Sequence, residues 1–221
     1  MSFRSRLIDA STALGVPLSA EQVDQCAAHW SRVADANRRF NLTRITDPED
    51  AAVKHYADAL SVVAWARTRA ARIGTVLDVG AGPGLPALAL AVAEPTWHVT
   101  AVDATAKKAD FVADCAATLG LSNLAALHRH TDHWLDAVDV FDLITFRAVG
   151  ALEACIATGH RRLAPGGTLI CFKSARLSDE ERTAGLAAAR RHHLRALDDF
   201  PYALTTKQET LRRLLVIYQR C

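Results

Sequence analysis

The stretch VLDVGAGPGLPALALAV, Val76 to Val92, sets Gly80, Gly82 and Gly84 at alternate positions between two apolar runs. A glycine turn joining a buried strand to a helix is a ligand-holding arrangement, because glycine reaches backbone angles closed to other residues and lets a ligand approach the main chain. The dinucleotide-binding version is spaced Gly-x-Gly-x-x-Gly, with a small third residue for close helix–strand packing. Here that third position is Leu85, and Pro83 and Pro86 remove two amide donors that a pyrophosphate could use. A loop with fewer donors suits a cofactor without phosphates. S-adenosylmethionine, with its amino-acid end, ribose and adenine, meets that description.

Other residues fall at positions where such a fold does chemistry. Asp103 ends the run HVTAVD about twenty residues beyond the loop, where an acid accepts hydrogen bonds from ribose hydroxyls or simply caps a helix. Asp78, just before the glycines, either orients the loop or faces the cofactor's ammonium. Arg147 ends FDLITFR. At the carboxyl end of a central strand its guanidinium would open onto the ligand crevice, to hold a carboxylate or a phosphate, stack on a base, or pair with Asp132. Lys173, ending LICFK, stands at a similar strand end, to meet phosphate or solvent, and Phe146 is either a stacking surface or core.

The elements that must position these residues read as two regions. Residues 1–70 are expected to form a helical extension. Ser19 and Gln22 make a capping box, Val23, Cys26, Trp30, Val33 and Phe40 form an apolar stripe, and Asp47-Pro48 starts another helix. Residues 71–221 alternate β-rich runs (TVLDV, HVTAV, LAAL, FDLITF, GTLICF) with alanine- and leucine-rich helical stretches. That alternation predicts a mostly parallel, doubly wound α/β sheet, and the glycine loop taken with Asp103 points to the Rossmann-like class I methyltransferase version of it. Pro165-Gly166-Gly167 reads as a turn between elements. HHLRALDDF and RRLLVIYQ read as two closing strands in an antiparallel hairpin, the last buried on both faces.

Composition excludes several classes. The chain has 221 residues, half of them hydrophobic, and a net charge of +2, too small to announce a nucleic-acid binder without local clustering. No apolar run is long enough for a membrane span, no signal core is evident at the start, and five scattered cysteines argue against a disulfide framework or a cysteine zinc site. A cytoplasmic, monomeric protein is expected. His128, His130 and His133 lie close together, but no metal is expected there.

Beyond the glycine loop, the chain resembles the bacterial small-subunit (16S) ribosomal RNA guanine-N7 methyltransferases, also called glucose-inhibited division protein B. The resemblance runs through RRFNLTRITDPEDAAVKHYADAL, LDVGAGPGLPALAL, VDATAKKADF, FDLITFRAVG, LAPGGTLICFKS and RRLLVIYQ. The chain departs from the family pattern at Ala59, at Ala87 and in the segment Arg129–Trp134. The resemblance implies cofactor contacts at Gly80 and Leu85, at Thr131 and Asp132 on the adenine side, and at Arg147. It also implies an RNA substrate, naked or within an assembling small subunit. Guanine N7 carries a lone pair and no proton, so no general base is required. Within that reading Arg38, Arg39, Arg44 and Lys54, with Lys173, are candidates for the RNA backbone, and His55 is expected to bond Asp58 three residues on. A methyltransferase with another substrate, or a non-catalytic RNA-binding assembly factor, are the alternatives.

Overall fold

In a computed structural model describing residues 2–129 and 139–221, the first seventy residues are helical. Helix α1 (Phe3–Ala13) and α2 (Ala20–Ala36) precede a loop, a short α3 (Pro48–Ala51), a π-helical turn (Ala52–Ala57) and α4 (Asp58–Thr68). The Ser19 capping box forms: Gln22 N donates to Ser19 Oγ at 3.2 Å, and Ser19 N donates to Gln22 Oε1 at 2.9 Å. Asp47 caps α3 through Asp50 N at 2.9 Å, with Pro48 at the first helical position.

The remainder alternates strand and helix: β1 (Thr75–Val79), α5 (Ala87–Ala93), β2 (His98–Asp103), α6 (Ala106–Thr118), β3 (Leu124–His128), β4 (Phe141–Arg147), α7 (Leu152–Gly159), β5 (Leu163–Ser174) and α8 (Asp179–Arg191). Three strands end the chain: β6 (Leu194–Ala196), β7 (Phe200–Thr205) and β8 (Thr210–Arg220). Among the described residues the sheet order is β3-β2-β1-β4-β5-β8-β6, with β7 also on β8. Strands β1 to β5 pair parallel, and β8 runs antiparallel to β5, β6 and β7. The order reverses between β1 and β4, which opens a crevice at their carboxyl ends.

Successive strand residues serve opposite faces. Val76 joins a core that runs from Phe3, Cys26 and Trp30 in the helical region through α5 to Ile170 and Ile217. Leu77, Val79 and Phe146 join a second core with Leu152 and Ile156 of α7 and Ala188 of α8. Phe146 is therefore core rather than a stacking surface, because alternation turns it away from its neighbour Arg147. No helix among the described residues is long and apolar enough to cross a membrane.

Two local expectations are corrected. Pro165-Gly166-Gly167 does not separate elements: it lies within β5, where the pairing to β4 steps from Phe141↔Leu163 to Leu143↔Thr168. Gly166 takes the left-handed conformation (φ +75°), and a Cβ on Gly167 would lie 2.8 Å from Ala164 O and 2.9 Å from Phe141 O. The irregularity thus lets the strand resume pairing, where a turn would have ended it. HHLRALDDF is also not one strand: it carries β6 (Leu194–Ala196) and ends on Phe200, the first residue of β7, which is the hairpin partner of β8.

Because both obstructions at Gly167 are backbone oxygens, Gly167→Ala is expected to destabilise the protein by roughly 1–3 kcal/mol. A lowered urea midpoint with an unchanged slope would register that loss; an unchanged midpoint would show that β4 and β5 can separate there without cost.

Candidate functional site

The glycine loop lies between β1 and α5, and all its amide hydrogens have internal partners. Gly80 N and Ala81 N both donate to Val102 O, at 2.9 and 3.0 Å, while Gly84 N and Leu85 N donate to Ala81 O at 2.8 and 3.0 Å. Gly82 N donates to Asp103 Oδ2 at 3.0 Å. The first amides of α5 are likewise engaged: Ala87 N donates to Asp78 Oδ2 at 3.1 Å and Leu88 N to Gly84 O at 2.7 Å. The loop is therefore no phosphate nest.

Its shape requires glycine. Gly80, Gly82 and Gly84 have φ of +74°, +56° and +94°. A Cβ on Gly80 would lie 2.6 Å from Val149 Cγ2, and one on Gly84 3.2 Å from Val112 Cγ2. At Gly82 a Cβ would meet only Gly80 O, at 3.9 Å, so that position faces open space in the cleft.

Asp78 is fully buried and accepts Thr145 Oγ1–H at 2.8 Å as well as Ala87 N. Burial raises its pKa to about 6, against the two hydrogen bonds and the Arg147 charge, which favour the carboxylate. The loop-orienting alternative for Asp78 thus matches its contacts. Asp103 is buried on the far side of the loop and also accepts Thr105 N at 2.8 Å, so it ties the loop to the start of α6. Each of its oxygens keeps a second lone pair.

The helical region supports the loop directly. His29 Nε2–H donates to Pro83 O at 2.9 Å, and its Nδ1 accepts Tyr56 Oη–H at 2.7 Å; the carbonyl can only accept, which sets the tautomer. Burial lowers the His29 pKa to about 4, opposed by the Pro83 bond and assisted by Arg32, and keeps the ring neutral.

A cleft of about 680 Å³ opens beside the loop, lined in part by Gly80, Gly82 and Leu85. Its other walls carry Arg44, Lys54, Arg147, Lys173 and Arg213, with Asp58 the one acid among the described lining residues. Arg147 Nη1 donates to His55 O at 3.2 Å and lies 3.4 Å from Asp58 Oδ2. Those partners come from the π-helical turn and the start of α4, an irregularity often found at functional sites. Asp58 Oδ1 accepts Tyr202 Oη–H at 2.7 Å.

The expected His55–Asp58 bond is corrected. His55 Nε2–H donates to Thr43 Oγ1 at 2.8 Å, and Nδ1 faces Arg147 Nη2 at 3.4 Å. Residues 52–57 are π-helical, so the three-residue spacing does not stack as in an α-helix. Burial, then the Arg147 charge, lowers the His55 pKa to about 3.

Of the expected site residues, the fold brings Gly80, Gly82, Leu85, Arg44, Lys54, Arg147 and Lys173 to the cleft. Asp78, Gly84 and Asp103 are not among the residues lining the cleft; Gly84 lies within the loop, while Asp78 and Asp103 hold it by accepting from Ala87 N and Gly82 N. Arg38 and Arg39 are exposed and pair with Asp35 instead. Thr131, Asp132, His130 and His133 lie outside the described residues, and among those described no group of three His, Cys, Asp or Glu is placed to hold a metal ion. Sequence reasoning missed Thr43, Asp58, Tyr202 and Arg213 as cleft residues. The only signal for Arg213 was its place in a basic pair, Arg212-Arg213.

Comparison with known proteins identifies the family and the fold. A sequence profile of the family described as rRNA small subunit methyltransferase G matches residues 22–196. The chain is 38% identical over 187 residues to the ribosomal RNA small subunit methyltransferase G of Bordetella avium, covering 83% of this chain and 81% of that protein. It is 38% identical over 177 residues to the protein of that name from Ralstonia nicotianae, covering 78% and 79%. Its fold is similar to that of a SAM-dependent methyltransferase from Methanosarcina mazei (TM-score 0.52, 14% identity, 66% of this chain and 92% of that one).

The buried Asp78 makes a signed prediction. A carboxyl whose folded pKa is raised binds its proton more tightly folded than unfolded, so its contribution to stability is full below the unfolded value and falls as pH rises towards about 6. Asp78→Asn removes that dependence. Urea unfolding at about pH 4 and about pH 7 is expected to show the variant gaining roughly 2–3 kcal/mol on the parent across the interval. A constant difference would mean that Asp78 titrates normally.

Proposed function

The chain belongs to the rRNA small subunit methyltransferase G family, and from that premise we propose that it transfers a methyl group from S-adenosylmethionine to N7 of a guanine in 16S ribosomal RNA. The observation that carries the reading is the glycine loop, whose amides are all engaged while Gly82 leaves open space beside them. A pyrophosphate would find no free donor there and two carboxylates, Asp78 and Asp103, close behind. A cofactor bearing an ammonium and a sulfonium meets a favourable field instead.

The residues present fit that cofactor. Gly80, Gly82, Gly84 and Leu85 shape its seat, Asp103 offers its spare lone pairs to the ribose hydroxyls, and Asp78 holds the loop from below. Thr131 and Asp132 are assigned to the adenine side from the family pattern. Arg147, held by the His55 carbonyl and Asp58, presents its remaining N–H groups to the amino-acid carboxylate. When bound, the cofactor supplies an activated methyl on a positive sulfur. The chain's own task is alignment: N7 attacks with a lone pair, so no side chain has to remove a proton, and in-line placement supplies the rate.

Arg44, Lys54 and Lys173 at the cleft, with Arg38 and Arg39 further out, are assigned to the RNA backbone, in a naked RNA or an assembling subunit. Phosphate contacts set affinity and register, while identity comes from the guanine taken into the cleft. We further assign residues 1–70 as a helical extension and 71–221 as the cofactor-binding domain, in a monomeric cytoplasmic protein.

Labelled methyl transfer to small-subunit RNA and particles lacking the modification tests the function. Label recovered as 7-methylguanosine at one position is the expected result. Cofactor binding without transfer would point to another substrate, and neither binding nor transfer to a non-catalytic assembly factor.

Asp103→Ala is expected to weaken cofactor binding at least several-fold, since it removes both the ribose acceptor and the Gly82 anchor. Calorimetric titration yielding the parent's dissociation constant would remove Asp103 from the site.

A further inference from the structure

The cations around the cleft fall into two groups. Lys54 is held by Asp50 at 2.8 Å, Lys173 by Glu181 at 2.7 Å and Arg147 by Asp58 at 3.4 Å. Arg213 and Arg44 line the same cleft with no acidic partner among the described residues. Arg213 is the more constrained of the two. In β8 it stands opposite Ser174 of β5 and Tyr202 of β7, and its Nε is buried without a hydrogen-bond partner.

An orphaned guanidinium N–H is unusual, because buried donors are almost always satisfied and an unpaired one carries its full desolvation penalty. The nearby polar groups are already engaged: the Tyr202 hydroxyl donates to Asp58 Oδ1, and the other Asp58 oxygen faces Arg147. None of these groups meets the Arg213 Nε, so an acceptor carried by a ligand in the cleft would pair it. The methyl donor brings a single anionic group, its carboxylate, and Arg147 already serves it in the reading above. A polynucleotide brings a phosphodiester at every residue, and a guanidinium fork matches two phosphate oxygens.

We propose that Arg213, together with Arg44 from the loop between α2 and α3, forms a subsite for a backbone phosphodiester beside the nucleotide that enters the cleft. The inference rests on the RNA reading. It deepens that reading by placing a phosphate contact on the antiparallel C-terminal strand, within the cleft itself and apart from the basic residues near the amino terminus. Because Nε has no partner in the free protein, replacing Arg213 should cost the fold little.

The test compares the parent protein with Arg213→Gln and Arg213→Lys. Each binds unmethylated small-subunit RNA across a salt series, and S-adenosylmethionine affinity is measured on the same preparations. Arg213→Gln is expected to weaken RNA binding roughly tenfold and to reduce the slope of log affinity against log salt by about one. Its cofactor affinity should match the parent's, which also certifies the fold. Arg213→Lys should recover the slope, because the charge is kept, and only part of the affinity, because the fork is lost. Equal slopes in the parent and Arg213→Gln would overturn the subsite. A parallel loss of cofactor affinity would overturn it too, by placing Arg213 on the methyl donor. Failure of the RNA reading itself is read on the parent alone, as RNA binding no stronger than to duplex DNA of equal length and no methyl transfer.

Discussion

The site depends on the complete internal pairing of the glycine loop. From Gly80 to Leu85 every main-chain N–H donates within the protein, to Val102 O, to Asp103 or to Ala81 O. Buried amides have to be paired, and this loop pairs them without a ligand, so it is rigid before anything binds. The usual use of a glycine turn before a helix, donation to phosphates, is thereby closed. What remains is shape: left-handed backbone at three glycines, open space beside Gly82, and two carboxylates underneath.

That rigidity is shared with the helical region. The Tyr56–His29–Pro83 chain of hydrogen bonds runs from the π-helical turn through α2 to the loop, entirely within the core. Burial keeps the imidazole neutral, so Nε2–H donates to Pro83 O and Nδ1 accepts from Tyr56. The same turn holds Arg147 through the His55 carbonyl, while Asp58 at the start of α4 links Arg147 to Tyr202 of β7. Three distant parts of the chain thus meet on one arginine. The apolar core, continuous from Phe3 to Ile217, makes that meeting stiff.

Charge in the cleft follows from the same packing. Lys54, Lys173 and Arg147 are each neutralised by an acid, whereas Arg44 and Arg213 have none among the described residues. A net charge of +2 for the chain conceals this local excess, because Arg38, Arg39 and other exposed cations are balanced on the surface by partners such as Asp35. Partial neutralisation orients the long side chains, and the residual positive charge concerns substrate.

Much of this was legible in the sequence. The loop's shortage of donors was visible in Pro83 and Pro86. Strand and helix alternation, the Ser19 capping box and the Asp47-Pro48 start all rest on interactions among residues within a few positions of one another. So do the expectations that failed: the i,i+3 spacing of His55 and Asp58 assumed an α-helix where the turn is π-helical, and Pro165-Gly166-Gly167 carried a turn signature that β5 absorbs as a pairing irregularity. Periodicity tells which face a residue takes but not what that face meets. Tyr202 reaches Asp58 across 144 positions, and Arg147 reaches His55 across 92. Such pairings arise only when the sheet closes on the helical region, since close packing, not local backbone preference, decides which side chains become neighbours. The sequence by itself determined the fold class and the kind of cofactor loop. Only the tertiary structure decided that Arg44, Lys54, Arg147, Lys173 and Arg213 share one cleft while Arg38 and Arg39 stay outside it.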